Sequence, residues 1–250
     1  MSALKHRIGM ASVSFRELSP RQILSASKAA GLDVIEWGSD VHAPATDIEA
    51  IKNIVELQNE FGISSSSYGT YFRIGTNTAE ELCDYIAAAK MLGTNILRVW
   101  CGGKPEVNIE GEAREAFIAE CQNLARVAEE NGVVLCMECH KNTFTEKLSN
   151  TLELMERVNS KSFLMYWQPF LNLTIEENLE YAEKISEYTV HIHAFNIKEK
   201  VRYSLADGIE EWKSYVSKFT PPHTLLLEFL PHNDINELKD EADALRKIVE

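Results

Sequence analysis

Two glutamates in this sequence interrupt or end runs of apolar residues that are typical of buried strands. Glu228 lies inside TLLLEFL (residues 224–230), and Glu138 closes VVLCME (residues 133–138). A carboxylate that is buried without a partner costs several kcal/mol of folding free energy, so proteins rarely keep one uncompensated. We therefore expect Glu138 and Glu228 to share a compensating group. Whether they can share one depends on the strands and helices that position them.

A strand–helix pattern repeats along the whole chain. A helical stretch, a glycine and a short apolar run recur at Gly31, Gly62, Gly93 and Gly132. Glycine commonly follows a helix C-terminus because it adopts the left-handed conformation without a steric penalty. Eight such units predict a (β/α)8 barrel, or TIM barrel, formed by a single domain over residues 1–250. The eight predicted strands are 8–15, 34–38, 63–68, 95–100, 133–138, 163–167, 189–195 and 224–230.

Capping residues mark the starts of several predicted helices. Ser19 precedes Pro20 as an N-cap, and Thr78 and Thr174 begin the capping boxes TAEE and TIEE. Asp234 begins DINE, which has the same form. An open doubly wound sheet is the alternative fold. That fold would need a glycine-rich phosphate loop after the first strand, and the segment SVSFRELSP contains no such loop.

Polar side chains cluster at the carboxyl ends of the predicted strands, where the active sites of such barrels lie. Glu138, Gln168, a histidine of the seventh strand and Glu228 come from four consecutive strands, so these side chains can meet at one point. Two carboxylates, an amide oxygen and an imidazole suit a divalent metal ion. His191 and His193 share a strand face, and the pattern leaves both open as the histidine ligand. The other polar or aromatic residues at these strand ends are Glu36, Trp37, Asp40, His42, Tyr68, Tyr71, Arg73, Arg98, Trp100, His140 and Trp167.

Each of these residues also has an ordinary structural interpretation. A single strand-end glutamate is usually solvated, and perturbed carboxylates mark structural networks as well as functional sites. A histidine inside a barrel is more often a core residue than a metal ligand. Tryptophans at strand ends, such as Trp100 and Trp167, are usually packing residues at the rim of a barrel. The arginines could each be an ordinary surface charge, and this applies to Arg73, Arg98 and Arg202. The coincidence on four consecutive strands supports the site more than any single residue does.

Composition excludes several classes of function. The chain has 250 residues and a net charge of −13, which argues against binding to nucleic acids or anionic membranes because both need basic patches. The sequence has no apolar run of the roughly 20 residues that a membrane span needs, and MSALKHRIGM lacks the pattern of a signal peptide. The five cysteines are scattered, and Cys136 and Cys139 are interpreted as reduced core thiols. We expect a cytoplasmic protein, and the sequence leaves a homo-oligomer open.

The motifs that carry these residues resemble the xylose isomerase-like TIM barrels, the sugar phosphate isomerase/epimerase superfamily with its AP endonuclease family 2-like members. The resemblance covers essentially the whole chain and implies one divalent metal ion (Mn, Mg, Co or Zn) held by Glu138, Gln168, a histidine and Glu228. The motif VHI at 190–192 favours His191, although His193 lies nearer the barrel mouth. Gln168 departs from the Asp that is usual in the family, and the lost negative charge implies weaker metal binding. The most specific motifs are IEWGSDVHAP, LRVWCGG, MECHKNTFTEKLSNTLELM, YWQPF, LADGIEEWKSYV and LLLEF.

The resemblance also implies a reaction. In the family, the metal holds adjacent oxygens of a hydroxy-ketone or hydroxy-aldehyde and stabilises an enediolate, while two glutamates exchange protons with carbon. Glu138 and Glu228 would take these catalytic roles in this chain. We therefore expect a sugar or sugar phosphate isomerase or epimerase that acts on a small-molecule sugar. The residues expected to contact the substrate are His140, Arg98, Trp100, Tyr68, His42 and Arg202.

Two other functions stay open from the sequence, and a third is disfavoured. Gln168 would also suit a sugar-binding pseudoenzyme that has lost its metal. A dehydratase of a cyclic polyol or keto sugar is the second alternative, because an enediolate-like intermediate can also eliminate water. An enzyme like an AP endonuclease would need a histidine-rich trinuclear zinc site and a DNA-binding face. The charge of −13 and the few histidines at the strand ends argue against it.

Overall fold

A computed structural model of the protein describes residues 6–220 and 222–250. Within these residues, eight parallel strands close into a barrel in the order β1-β10-β7-β6-β5-β4-β3-β2, which confirms the fold predicted from the sequence. Because all eight strands are parallel, their carboxyl ends lie at one mouth of the barrel. The barrel strands are β1 (Arg7–Ala11), β2 (Val34–Gly38), β3 (Ser64–Arg73), β4 (Ile96–Trp100), β5 (Val134–Glu138), β6 (Phe163–Trp167), β7 (Thr189–Ala194) and β10 (Thr224–Leu227).

Eight α-helices of the described residues connect the strands. They bury apolar residues on one side, and four of them begin where the side chain of the preceding residue accepts a hydrogen bond from a backbone N–H group of the first turn. The helices are α1 (Pro20–Ala29), α2 (Ile48–Phe61), α3 (Ala79–Met91), α4 (Gly111–Glu130), α5 (Leu148–Val158), α6 (Ile175–Ile185), α7 (Ile209–Val216) and α8 (Leu238–Val249).

The helix caps predicted at Ser19, Thr78 and Thr174 are confirmed. Each side chain accepts a hydrogen bond from the backbone N–H three residues later, and the glutamine or glutamate there accepts one from the backbone of the cap residue. Asp234 behaves differently from the prediction. Its side chain caps a short 3-10 turn at Ile235–Glu237, and α8 begins only after that turn.

Two barrel strands end earlier than the apolar pattern indicates. The first stops at Ala11 because Ser12 starts a 3-10 turn, and the Ser12 hydroxyl oxygen accepts a 2.9 Å hydrogen bond from the backbone N–H of Gly38. The last stops at Leu227, and Phe229 has a φ of 55°, which takes the chain out of the extended conformation. Glu228 therefore stands directly after its strand, at the barrel mouth. The third strand is longer than predicted and runs to Arg73.

A short antiparallel hairpin follows β7, and the sequence analysis did not predict it. Its strands are β8 (Asn196–Lys198) and β9 (Val201–Tyr203). The turn residues Glu199 and Lys200 both have positive φ, as a tight hairpin turn requires. Because the hairpin extends from the carboxyl end of β7, it borders the barrel mouth.

An apolar layer lies directly beneath the polar residues of the barrel mouth. Side chains two positions apart on a strand share a face. Four buried residues that form a small cluster of their own each precede a strand-end polar residue by two positions. This layer supports the polar side chains above it and separates them from the opposite end of the barrel. The four residues are Val34, Cys136, Tyr166 and Leu226, which precede Glu36, Glu138, Gln168 and Glu228.

The two cysteines of the CxxC pattern are buried and free. Burial raises the pKa of both Cys136 and Cys139, which disfavours thiolate chemistry. None of the helices in the described part of the chain combines the length and apolarity needed to cross a bilayer. The prediction that MSALKHRIGM carries no signal peptide rests partly on residues 1–5, which lie outside the described residues.

Candidate metal centre and active site

Three side chains from β5, β7 and the end of β10 converge at the barrel mouth. His193 Nδ1 lies 3.4 Å from Glu138 Oε1 and 3.5 Å from Glu228 Oε2. All three side chains are buried, and His193 is completely so. Glu138 ends β5 and Glu228 follows β10, while His193 lies opposite Leu226 in the pairing of β7 with β10. The fold thus brings together the two glutamates that the sequence singled out.

Polar atoms of this group lack hydrogen-bond partners within the residues that the structure describes. Both ring nitrogens of His193 and Oε2 of Glu228 are such atoms. Buried polar atoms without a partner are uncommon in folded proteins and call for an ion, a water or a ligand. One ligand atom from each of Glu138, His193 and Glu228 lies within 4.8 Å of the other two. Atoms that bind one divalent ion at about 2.0–2.6 Å are separated by distances of this size, so the group fits a divalent metal.

Gln168 directly follows β6, the strand between those that carry Glu138 and His193. Its Nε2 donates a 3.0 Å hydrogen bond to the backbone oxygen of Cys139, which fixes the orientation of the amide. Its Oε1 is buried and has no hydrogen-bond partner in the described part of the chain. An amide oxygen can bind a cation without adding charge. Gln168 can therefore supply an oxygen at the position where the resemblance in sequence implies an Asp.

The two histidines of β7 have different surroundings. His191 lies deeper, with Nδ1 at 2.9 Å from the Val190 backbone oxygen and Nε2 at 3.3 Å from that of Ser66. Its polar atoms are thus engaged by the backbone, and burial lowers its pKa. His193 instead faces carboxylates on both sides. The structure places His193 beside the two glutamates, whereas the VHI motif favoured His191.

Glu36 is a third buried glutamate in contact with His193, and the sequence analysis gave it no role. It is 1% exposed, and its Oε1 lies 3.3 Å from His193 Nε2. Tyr166 and Ser67 donate hydrogen bonds to its Oε2 at 2.6 and 3.0 Å. The sequence did contain a signal, because Glu36 interrupts the apolar strand VIEWG just as Glu228 interrupts its own run.

Arg98 is the buried cation that joins these carboxylates. It is 3% exposed, and its guanidinium lies 3.8 Å from Glu36 Oε1 and 3.4 Å from Glu138 Oε2. It also donates a 3.1 Å hydrogen bond to the backbone oxygen of Thr70. Gly69 makes room for the pair, because a Cβ there would lie 2.7 Å from Glu36 Oε1 and 3.1 Å from Arg98 Nη2. Arg98 thus lies within the cluster, and its expected contact with substrate stays a prediction.

The ionisation of the glutamates is uneven. Burial favours the neutral form of each, but His193 and Arg98 outweigh it for Glu36, whose pKa falls to about 2. Despite the same burial effect, Arg98 and His193 hold the pKa of Glu138 well below its usual range. Glu228 differs, because burial and the nearby Glu138 raise its pKa to about 7. The neighbouring carboxylates raise the pKa of His193 well above its usual value, against the effect of burial.

Formal charges in this cluster balance in two ways. Arg98 and a protonated His193 offset ionised Glu36 and Glu138 when Glu228 carries a proton. A divalent ion and Arg98 offset all three glutamates when His193 is neutral. Metal ligands must be deprotonated, so binding of an ion would release the protons of His193 and Glu228. The cluster can therefore accept a divalent cation without a net change in its charge.

Trp100 contacts the cluster through Glu138. Its indole Nε1 donates a hydrogen bond to Glu138 Oε2. Its ring packs edge-on against Tyr71 and lies 5.4 Å from the ring of His140. The guanidinium of Arg73 lies 4.5 Å from the centre of the Trp100 ring. Trp100 is therefore tied to the cluster through Glu138 and packs near His140.

A cavity of about 460 Å³ opens at this side of the barrel mouth. Its volume lies in the range of small-molecule sites. Its lining includes Gln168 and residues that directly follow Glu138 and Glu228 in the chain, among them His140 and Phe229. His140 Nδ1 donates a 2.7 Å hydrogen bond to the Lys141 backbone oxygen, which leaves Nε2 as its other polar atom. Three aromatic residues of the lining are Phe170, Phe195 and Phe229.

The remaining residues expected to contact substrate make other interactions. Tyr68 is fully buried and donates a 2.5 Å hydrogen bond to the Ala43 backbone oxygen. His42 is buried between Ser12 and the backbone oxygen of Leu18. Arg202 lies on the hairpin, where it packs over Phe229 and donates to Asn233. A role of these three in substrate binding stays a prediction.

Known families provide the broader context for this site. A family model described as xylose isomerase-like TIM barrel matches residues 24–248. The chain belongs to this family. Members of the xylose isomerase-like family include dehydratases and epimerases, so the family gives a class of enzymes rather than one reaction.

Two curated members of the family are similar in sequence. Inosose dehydratase of Histophilus somni (strain 129Pt) is 26% identical over 243 residues, which cover 90% of this chain and 80% of that protein. The 3-dehydroshikimate dehydratase of Bacillus anthracis is 23% identical over 187 residues, which cover 66% of this chain and 67% of that protein.

A solved structure supports the same fold. The probable 3-DHS dehydratase AsbF of Bacillus anthracis, involved in petrobactin synthesis, superposes with a TM-score of 0.81. The match covers 96% of this chain and 98% of that chain at 18% identity. The xylose isomerase-like barrel is thus shared over nearly the whole length of both proteins.

Proposed function

We propose that this protein is a metal-dependent dehydratase of a small, polyhydroxylated ring that carries a ketone. The observation that carries the proposal is the pair of neighbouring glutamates in opposite environments around His193. Glu138 is bonded to Trp100 and close to Arg98, whereas Oε2 of Glu228 has no hydrogen-bond partner in the described residues. One glutamate is fixed as an anion, and the other is able to carry a proton.

The residues that would hold the metal are Glu138, His193 and Glu228, with the amide oxygen of Gln168 as a fourth donor. When bound, a divalent ion supplies a Lewis acid that polarises the substrate carbonyl and stabilises negative charge on its oxygen. Arg98 and Glu36 remain beneath this shell, where Arg98 limits the repulsion between the carboxylates. The buried, water-poor surroundings strengthen these interactions.

Glu228 has the properties of the group that moves the proton. It would take the proton from the carbon next to the ketone and then deliver it to the hydroxyl on the adjacent carbon. The C–H and C–OH bonds break, a C=C bond forms in conjugation with the ketone, and one water leaves. The reaction needs no oxidant or reductant. Glu228 would be ionised when it binds the ion, as a base must be to take up the proton, and its burial would favour delivery of that proton in the next step.

Elimination fits the site better than the isomerase or epimerase reaction expected from the sequence. Epimerisation by two bases needs two glutamates that both exchange protons with carbon. Glu138 is engaged by Trp100, Arg98 and His193, whereas Oε2 of Glu228 has no hydrogen-bond partner among the described residues. Both curated relatives named above are dehydratases, and this also supports the proposal.

The cavity suits a compact ring. Its aromatic residues can pack on the hydrophobic face of a ring, and His140 Nε2 can bond to a ring hydroxyl. Cyclic hydroxy-ketones such as an inosose or 3-dehydroshikimate, which the relatives are named for, belong to this chemical class. We therefore expect the substrate to be a cyclic hydroxy-ketone rather than an open-chain sugar.

The test is turnover by purified protein in saturating Mn²⁺, with inosose, 3-dehydroshikimate and several ketohexoses as candidate substrates in D₂O. Loss of water and a new ultraviolet absorption from the conjugated ketone would support the proposal. Deuterium incorporation with inversion at carbon and no loss of water would instead support an epimerase. If the protein binds no Mn²⁺ but binds the ring compounds equally well with and without Mn²⁺ in the buffer, the metal-free pseudoenzyme would be supported.

A further inference from the structure

We infer that Glu36 is a positioning residue that fixes the orientation and tautomer of His193, so that Nδ1 is presented to the metal. The inference rests on the proposed metal site and adds a residue from the opposite side of the barrel. Glu36 makes its ion-pair contacts with His193 and Arg98. Its effect would be exerted entirely through the imidazole ring of His193.

The two ring nitrogens of His193 face different carboxylates. Nε2 lies 3.3 Å from Glu36, whereas Nδ1 lies 3.4 and 3.5 Å from Glu138 and Glu228. An ionised carboxylate has no proton to donate, so its contact with Nε2 favours the form of the ring with a proton on Nε2. A neutral ring of this form has its lone pair on Nδ1. Glu36 therefore directs the lone pair towards the two glutamates that would bind the ion.

Glu36 is itself held from the side away from His193. Tyr166 and Ser67 both donate to Oε2, at 2.6 and 3.0 Å, and these hydroxyls lie 2.9 Å apart. Oε1 is thereby left to face His193. The ring of Tyr166 also packs against that of His193, with centres 4.7 Å apart. Tyr166 thus restricts the orientation of both the Glu36 carboxylate and the His193 ring. Partners of metal-binding histidines commonly orient the ring in this way.

The absence of a side chain at Gly69 makes this arrangement feasible. A Cβ at this position would approach Glu36 Oε1 to 2.7 Å, which is closer than real Cβ contacts. Any other residue would displace the carboxylate from His193. The strand β3 therefore contributes both a hydroxyl, from Ser67, and the space that the carboxylate occupies.

Glu36 has a competing structural role as a counter-ion for Arg98. Arg98 Nε lies 3.8 Å from Glu36, farther than the 3.3 Å between Glu36 and His193. Arg98 also lies 3.4 Å from Glu138, so it keeps a carboxylate partner if Glu36 is neutralised. A purely structural role predicts a loss of stability alone. The positioning role predicts a loss of metal affinity as well.

The test is calorimetric titration of Mn²⁺ into the wild-type protein and into the Glu36→Gln and Glu241→Gln variants. Glu241 is a matched control, because it is also a buried glutamate and accepts hydrogen bonds from Ser204 and the Leu205 backbone, outside the metal cluster. We expect Glu36→Gln to weaken Mn²⁺ binding by about 10–100-fold. Glu241→Gln should lower the unfolding temperature without changing the affinity.

A second variant keeps the inference testable if Glu36→Gln does not fold. Tyr166→Phe retains the carboxylate and removes one of its two donors, so it should weaken Mn²⁺ binding by a smaller factor than Glu36→Gln. Equal affinity of wild type, Glu36→Gln and Tyr166→Phe would overturn the inference. If Glu36→Gln does not fold, an Mn²⁺ affinity of Tyr166→Phe equal to that of wild type would by itself overturn the inference.

Nuclear magnetic resonance separates this inference from the proposed function. If wild type binds no metal, the proposed function is wrong, but the proton on Nε2 can still be observed. In ¹⁵N-histidine-labelled, metal-free protein, we expect a slowly exchanging Nε2–H signal from His193 that is lost in Glu36→Gln. Persistence of that signal in the variant would contradict the positioning role.

Discussion

The two halves of the barrel mouth contribute charged side chains in different ways. On the β2–β4 side, Glu36 accepts two hydrogen bonds and Arg98 donates one to the backbone. On the β5–β10 side, His193 and Glu228 make no side-chain hydrogen bonds within the described residues, although both are buried. The first half has the character of a support, and the second half that of a binding site. Oε1 of Glu36 and Nε of Arg98 also lack hydrogen-bond partners among the described residues. The difference lies in the anchoring of each group, because Glu36 and Arg98 are held through their other polar atoms, whereas His193 and Glu228 are not.

The largest expected effect concerns Glu228. In saturating Mn²⁺, Glu228→Gln should lower the turnover of a cyclic hydroxy-ketone by about 10²–10⁴-fold, because the proton-carrying group is lost. The amide still offers an oxygen, so excess Mn²⁺ should restore part of the metal binding. The measurement is the initial rate of conjugated ketone formation as a function of Mn²⁺. A rate near that of wild type would mean that Glu228 is a ligand only.

A variant of Arg98 tests the supporting role of the β2–β4 side of the barrel mouth. Arg98→Met should lower the free energy of unfolding by about 3–5 kcal/mol, because it leaves buried carboxylates without their counter-ion. Urea denaturation in the absence of metal measures the change. Arg16→Met is the matched control, since its ion pair with Asp40 is partly exposed and should be worth less than about 1 kcal/mol. Equal losses in the two variants would remove the distinction between the halves.

The two histidines of β7 provide a comparison within one strand. His193→Gln should weaken Mn²⁺ binding by more than about 100-fold, beyond the usual effect of an outer partner. His191→Gln should leave Mn²⁺ affinity unchanged and lower only stability, since its ring contacts backbone oxygens. Calorimetric titration and thermal unfolding of both variants measure these effects. The opposite ranking of the affinities would assign the ligand role to His191.

A variant of Gln168 tests whether its amide oxygen belongs to the metal site on the β5–β10 side. Gln168→Asp should strengthen Mn²⁺ binding by about tenfold, because affinity rises with the number of charged ligands. Gln58→Asp is the control, since Gln58 is buried to the same extent but accepts a hydrogen bond from Ser65 on a different part of the barrel. If both variants bind Mn²⁺ like wild type, Gln168 lies outside the metal shell.

The smallest expected effect is a pH dependence on the supporting side. Burial lowers the pKa of His42 below its usual value of 6.5. The unfolded chain therefore binds more protons than the folded chain just below pH 6.5, and stability falls as the pH falls. The neutral ring accepts a hydrogen bond from Ser12 on Nδ1 and donates from Nε2 to Leu18, and protonation removes the first bond. His42→Gln should show a smaller loss of unfolding free energy than wild type between pH 6.5 and 5, and an identical loss would contradict this assignment.

Sequence patterns predicted most of the fold because its signals are local. The glycine spacing and the capping boxes at Thr78 and Thr174 depend on neighbouring residues, and they led to the correct barrel. Glu138 and Glu228 were found for a similar reason, since each interrupts an apolar run. Strand ends were less predictable, because Ser12 leaves its strand to bond with Gly38, far along the chain.

The depth and the partners of side chains could not be predicted from sequence. His191 and His193 share a face, and only the register of β7 with β10 and β6 decides which one reaches the glutamates. The position of Glu36 depends on Tyr166 and Ser67, which come from other strands. The orientation of the Gln168 amide depends on a hydrogen bond to the Cys139 backbone oxygen that no pattern reveals.

The ionic cluster also constrains how the chain can assemble. The hydrogen bond from Tyr166 to Glu36 joins residues 130 positions apart, and that from Ser67 to Tyr166 joins residues 99 apart. Contacts of such sequence separation form only after a large loss of chain entropy, which slows folding. Until β2 and β7 come together, Glu36 and His193 lack each other and remain hydrated. The charges at the mouth therefore favour closure of the whole barrel in one late step, rather than stable half-barrels.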